Sequence, residues 1–422
     1  MPAEPTKVTI RMFVVGFGDC FLLTFHYEPP LQDQSILIDF GTASGSADMK
    51  GIAKEIRNAC NGKLYAVVAT HRHKDHISGF SDAAGKDSPG AIIASCRPEV
   101  VIQPWTENPS AGADATSAVL LKKSQPGNAA LVYFASLNSM QAYARAVVDR
   151  APRWRGPGGK ATGLERLAVN NTKNPEAVKN LARMGRKPPL FLAYGSPSGL
   201  EDPKLLPGVQ VRVLGPPTLK QQNLKTYAKN SNEYWIAGKY WGLQQRAVES
   251  GKSSRLFPGE RRYGKTIPTE MRWFVEHADA ALKKNVLGIV RILDNFLNNT
   301  SLILLFQAKG KKLLFPGDAQ LENWQWALSQ PGIRELLHDV DVYKVGHHGS
   351  RNATPRSLWD FFDNRKGRKL TTLMSTAAGV YGRSEDGRVP SANLVKALTQ
   401  ESDLKSTEKS KKTNKPVEIE II

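Results

Sequence analysis

Residues 67–80 read VVATHRHKDHISGF. A short β-branched apolar run gives way to three histidines and an aspartate within six positions, in a chain that has eight histidines altogether. The run has the composition of a buried strand, and the cluster opens at its C-terminal end, where α/β sheets usually place their sites. Two residues apart after a strand, His71 and His73 can converge on one side of a tight loop, and Asp75 with His76 then offers a second set of donors. Neutral imidazole plus carboxylate suits zinc, manganese or iron. Four donors so closely spaced at a strand end point to a metal rather than to a solvated loop.

A metal site needs partners from elsewhere in the chain, and two segments offer them. Asp318 lies in LLFPGDAQ (313–320), a Pro-Gly turn directly after an apolar run, where chain reversal exposes its side chain. DVDVYKVGHHGS (339–350) is a predicted strand ending in the pair His347–His348. Two ions about 3.5–4 Å apart need a bridging carboxylate, and such sites activate water for in-line attack on esters. Asp318 has the setting for that carboxylate.

THRHKDH resembles the H-x-H-x-D-H signature of the metallo-β-lactamase-fold hydrolases. The order VVGFGDCFLL, ILIDFG, THRHKDHISG, VRVLGPP, NNTSLILLF, LLFPGDAQ, YKVGHHGS is similar to the hydrolase domain of ComEC-type DNA-uptake proteins and its free-standing relatives. Matching segments span 8–105 and 209–400. The resemblance implies an α/β fold, an αββα four-layer sandwich, with two divalent ions between its sheets, zinc or alternatively manganese. It implies that His71 and His73 bind the first metal, that Asp75 and His76 bind the second, and that Asp318 bridges them. One of His347 and His348 completes the second site; the reading favours His348 as ligand and His347 as a donor to the substrate or leaving group. Asp75 and His347 are thus the catalytic candidates. The family's further histidine between the H-x-H-x-D-H and Asp motifs has no clear counterpart. His277 is the histidine available in that span and reads as a surface residue, while Asn299 and Ser301 of NNTS fit the Asn-Ser element of this branch. Asp19 and Asp39 either accept from a ligand imidazole, which fixes its tautomer, or cap strand ends. Lys344 either steadies a substrate phosphate as a point charge or faces solvent.

The rest of the chain divides around these motifs. Residues 1–106 read as the first half of the sandwich and 206–400 as the second. An irregular, basic insertion covers 107–205, another covers about 218–290, and 401–422 is a polar, lysine-rich tail whose VEIEII could return as an edge strand. The first insertion interleaves Arg150, Arg153, Arg155 and Lys160 with Trp154; the second sets Arg255, Arg261 and Arg262 beside Phe257 and Tyr263. Cations that track a phosphate backbone beside aromatic faces that stack on bases are the means of holding single-stranded nucleic acid. Basic surface loops are the plainer reading of both.

Composition sets outer bounds. Basic residues number 58 against 39 acidic ones, a net charge of +19, which favours a polyanionic partner such as nucleic acid. No apolar run is long enough for a membrane span, and the acidic, proline-bearing start lacks the apolar core of a secretory signal. Three scattered cysteines fit a reducing cytoplasm rather than a disulfide framework. Together with these bounds, the resemblance implies a cytoplasmic hydrolase using a metal-activated hydroxide, a phosphodiesterase or nuclease acting on DNA or RNA. A hydrolase of a small phosphoester or carboxylic ester, and a nucleic-acid-binding module with a degenerate site, are the alternatives. Protein partners and oligomeric state are left open.

Overall fold

The computed structural model describes residues 3–44, 47–108, 174–218, 221, 298–367, 369–377, 379–380, 388–410 and 414–421. Six strands come first: β1 (Lys7–Met12), β2 (Cys20–His26), β3 (Gln34–Phe40), β4 (Ala66–Val68), β5 (Val100–Pro104) and β6 (Leu190–Leu192). Six more follow: β7 (Val209–Gly215), β8 (Ile303–Ala308), β9 (Lys311–Phe315), β10 (Val342–Lys344), β11 (Thr371–Met374) and β12 (Asp403–Ser406). The last, β13 (Val417–Ile421), returns to the first set. They form a seven-stranded sheet, β13-β1-β2-β3-β4-β5-β6, and a six-stranded sheet, β12-β11-β10-β9-β8-β7.

The sheets share a plan. In the first, β13, β1, β2 and β3 pair antiparallel, and from β3 through β6 the pairing is parallel. In the second, β7, β8 and β9 pair antiparallel, and from β9 through β12 the pairing is parallel. Each thus has a parallel half, whose carboxyl ends can converge on a site.

Alternation along the strands sets the layers. Ile10, Phe21, Phe25 and Ile38 of the first sheet share one core with Val211, Phe306 and Phe315 of the second, and Phe21 meets Phe315 edge-on at 5.7 Å. The intervening residues face outward. Leu22, Leu37 and Val67 pack under α1 (Met49–Ala59), α3 (Pro89–Ser95) and α4 (Pro175–Arg183). Ile303, Leu314 and Tyr343 pack under α5 (Leu321–Leu328), α6 (Ile333–Leu337), α7 (Arg356–Trp359) and α8 (Ala392–Glu401). One short helix, α2 (Lys74–Ile77), carries part of the histidine cluster and turns Ile77 into the outer core of the first sheet. Burial on both faces explains why the strands read as nearly continuous apolar runs.

Local signals account for several elements. Ile52, Ile56 and Cys60 lie one turn apart on the buried stripe of α1 and at its end, and the Gly51 N–H donates to Asp48 Oδ1 at its start, 2.9 Å. The β8–β9 hairpin turns through Lys309 and Gly310, both left-handed (φ 50 and 72), the condition for a type I′ turn.

Two segments differ from expectation. Residues 174–205, read with the first insertion, carry α4 and β6; Ala177, Leu181 and Met184 join the outer core of the first sheet. The tail supplies an edge strand to each sheet, β12 beside β11 and β13 beside β1. Its alternate polar residues hid β12, whose burial is only partial, whereas VEIEII was legible by its alternation. Among the described residues no helix is long and apolar enough to cross a membrane.

Candidate metal centre

The centre assembles at the carboxyl ends of β3, β4, β9 and β10. Beyond β4, Thr70 is tied to Asp39 at the end of β3: its N–H donates to Asp39 Oδ1 and its hydroxyl to Asp39 Oδ2, both at 2.7 Å. Asp39 itself is left-handed (φ 54), a conformation aspartate tolerates better than most residues. Asp39 Oδ2 also receives His76 Nδ1 at 2.7 Å. Gly41 lies so close beneath α2 that a Cβ there would sit 2.5 Å from the backbone of Asp75 and His76. The Asp19 N–H donates to the Asp75 carbonyl at 2.9 Å. The segments around Asp19, Asp39 and Asp75 are therefore one hydrogen-bonded unit.

The second sheet supplies the other half. Gly317 turns the chain after β9 with φ 56, and its missing Cβ would lie 2.9 Å from Thr70 Cβ. The Asp318 N–H donates to Ser301 Oγ, 3.1 Å. After β10, His347 and His348 are both left-handed (φ 44 and 53), a strained pairing for non-glycine residues, which such structure retains mainly at functional sites. The His347 N–H on Asp318 Oδ1 (3.1 Å) and His348 Nδ1 on the Ser375 carbonyl (3.0 Å) hold it in place.

Asp318 Oδ2 is the focus. It lies 2.9 Å from His76 Nε2, 3.6 Å from His348 Nε2, 3.9 Å from His71 Nε2 and 4.0 Å from His347 Nε2. His348 Nε2 is 3.2 Å from Asp75 Oδ2. One donor atom each from Asp75, His76, Asp318 and His348 all lie within 4.8 Å of one another, and all four residues are buried. His71 Nε2 and His73 Nδ1 face each other at 2.9 Å beside this group. Imidazole nitrogens and carboxylate oxygens converging in a buried space are the donors divalent transition ions take. The residues fit a metal ion.

The charges are interlocked. Burial would push His76 down, yet Asp318 and Asp39, one on each ring nitrogen, hold it well above its ordinary value. Burial likewise opposes protonation of His348, but Asp318, Asp19 and Asp75 carry it up to about 10. Burial would raise Asp318 and Asp75; for Asp318 the charges of His76, Lys344 and the histidine pair outweigh it, and for Asp75 the bond from His348 and the charge of His76 do, so both stay below the ordinary carboxylate range. His71, buried and beside His76 and His73, is held well below its ordinary value, which leaves it neutral, the form that ligates metal. A bound cation would replace the protons on His76 and His348.

Most sequence-derived candidates meet here, with two differences. Lys344 neither faces solvent nor reaches outward to substrate: it is 2% exposed and spends its ammonium on Gly317, Asp318 and Asp19. Asn299 stands outside the donor group and serves α5, accepting from the Gln320 N–H at 3.1 Å and donating to Glu322 at 3.3 Å. Ser301 contributes through the Asp318 backbone. Of the histidine pair, His348 belongs to the donor group while His347 is partly open to solvent, its side chain 18% exposed. Asp39 accepts from His76 Nδ1; Asp19 sits 3.4 Å from His348 Nδ1 and against Lys344. Thr70 went unremarked in the sequence, where a threonine after a strand carries no signal. His277 and the residues Arg150, Arg153, Trp154, Arg155, Lys160, Arg255, Phe257, Arg261, Arg262 and Tyr263 lie outside the described residues.

Comparison with protein-family models finds none that matches this chain, and comparison with the curated proteins finds no match either.

Proposed function

We propose that this chain is a metal-dependent hydrolase of the metallo-β-lactamase type, with the αββα sandwich of that family, acting as a phosphodiesterase on nucleic acid. The observation that carries the reading is the buried donor group Asp75, His76, Asp318 and His348, drawn from both sheets and from positions up to 273 residues apart. His71 and His73 beside it extend the donors toward a second ion that would share Asp318. Zinc suits this donor set first and manganese second.

Asp75, His76, Asp318 and His348 would hold a divalent ion, which would supply a lowered water pKa and polarisation of a phosphoryl oxygen. The chain's own residues do the rest. Asp39 and the Ser375 carbonyl engage Nδ1 of His76 and His348, so that Nε2 of each is presented inward. In this reading His347, partly open to solvent at 4.0 Å from Asp318 Oδ2, passes a proton to the leaving oxygen of a phosphodiester. The net charge of +19 supports a polyanionic substrate, since phosphate contacts dominate nucleic-acid affinity.

The test is digestion of single- and double-stranded DNA and RNA, beside a generic phosphodiester, by protein loaded with Zn²⁺ or Mn²⁺. Asp318→Ala should abolish cleavage and leave polynucleotide binding in place. If the loaded wild-type protein cleaves none of these, or binds no polynucleotide at roughly physiological salt, the reading fails.

A further inference from the structure

Lysine is among the residues least often fully buried, and Lys344 is 2% exposed. Its Nζ donates to the Gly317 carbonyl at 2.9 Å and to Asp318 Oδ1 at 3.3 Å, and it pairs closely with Asp19 Oδ2. The two oxygens of Asp318 are thereby divided. Oδ1 is held by Lys344 and by the His347 N–H at 3.1 Å, while Oδ2 faces His76, His348 and His71.

A second donor group, Asp19, Asp39 and His76, lies on the Nδ1 side of His76. Each of its carboxylates already has a partner from the chain: Lys344 on Asp19 and His76 Nδ1 on Asp39. The ammonium thus stands where a cation would otherwise be drawn to this side.

We propose that Lys344 is the positioning residue of the metal centre: by holding Asp318 Oδ1 and neutralising Asp19, it makes Asp318 a single-oxygen ligand and confines the ion to the Asp75–His76–Asp318–His348 side. The proposal rests on the metal-centre reading but not on any reaction. It also predicts a sign opposite to simple electrostatics. Removing a positive charge beside a ligand carboxylate should by Coulomb attraction alone tighten binding of a cation; losing the group that orients the ligand should weaken it.

The experiment is competition for Zn²⁺ between the full chain and a chromophoric chelator, for wild type and Lys344→Met, with folding checked by circular dichroism. The expected result is binding about 10- to 100-fold weaker in the variant, the effect of losing a group that supports a ligand. Affinity equal to or tighter than wild type in a folded Lys344→Met overturns the proposal. Should that variant fail to fold because Asp19 is left uncompensated, Lys344→Met with Asp19→Asn removes both charges together. The same weakening is expected there, and unchanged affinity overturns the proposal. A wild-type protein that takes up no Zn²⁺ refutes the metal centre itself, a result distinct from either.

Discussion

Asp39→Asn tests how far the centre depends on a residue that would touch no metal. Asp39 accepts three buried hydrogen bonds, each 2.7 Å: Thr70 N–H on Oδ1, and the Thr70 hydroxyl and His76 Nδ1 on Oδ2. Asparagine shares aspartate's tolerance for φ 54, so the substitution isolates the hydrogen bonds from backbone strain. The amide has one acceptor oxygen. With that oxygen toward His76, the NH₂ faces the Thr70 N–H and orphans a buried donor, at about 1–3 kcal/mol. With the amide flipped, the NH₂ faces His76 Nδ1, which must give up its proton and accept there, leaving the ring's remaining proton on Nε2, the atom that faces Asp318. Loss of charge assistance adds about 1 kcal/mol in either case. The metal-free variant should therefore lose about 2–4 kcal/mol, seen as a lower thermal midpoint. Its Zn²⁺ affinity should fall about 10- to 100-fold, the usual effect of removing a partner that orients a ligand histidine. A variant that melts with wild type and binds Zn²⁺ as tightly would show that Asp39 neither stabilises nor orients the centre.

Other expectations are as direct. Gly41→Ala would place a Cβ 2.5 Å from the Asp75 and His76 backbone, so α2 must shift; stability should drop by about 1–3 kcal/mol and Zn²⁺ affinity with it, and an unchanged melting profile and affinity would contradict the geometry. The pH response of metal-free protein has a fixed sign. His348, raised to about 10 from an ordinary 6.5, contributes stability that is complete below about pH 6.5 and lost as pH rises toward 10. Asp318 and Asp75, both lowered, contribute stability present above about pH 4 and lost on acidification. Thermal midpoints should therefore fall from pH 7 to 9 without metal, while the increment from Zn²⁺ grows as the ion replaces protons; a midpoint that climbs over that range argues against the buried protonated histidines. Arg153→Ala with Arg155→Ala should weaken single-stranded DNA binding and flatten the log–log salt dependence by about 0.7 per lost phosphate contact, and a slope that does not move removes these residues from the interface.

Much of this molecule is legible in its sequence because the signals are local. The hairpin of β8 and β9 shows as two apolar runs around a Gly-Lys turn, one residue beyond the Lys309–Gly310 turn observed, α1 as Ile52, Ile56 and Cys60 at helical spacing, and the donors as a cluster behind a β-branched run. What escaped is what depends on partners. A three-residue strand such as β6 has too few positions to show a period, and it gains its place by pairing with β5. The polar face of β12 has meaning only beside β11. Asn299 looked like a site residue by its place in NNTS, but the chain turns it toward α5.

The chemistry available is written along the chain: imidazoles and carboxylates at strand ends, in numbers that suit a divalent ion. Which of them meet depends on the fold. His76 reaches Asp318 across 242 residues of chain and His348 reaches Asp75 across 273, distances over which no local pattern carries information. The fold also sets the role of Lys344, which in a sequence is simply a charge at the end of a strand. Buried between Asp19 and Asp318, its charge must be matched by the residues around it, and those residues are set by the packing of two sheets.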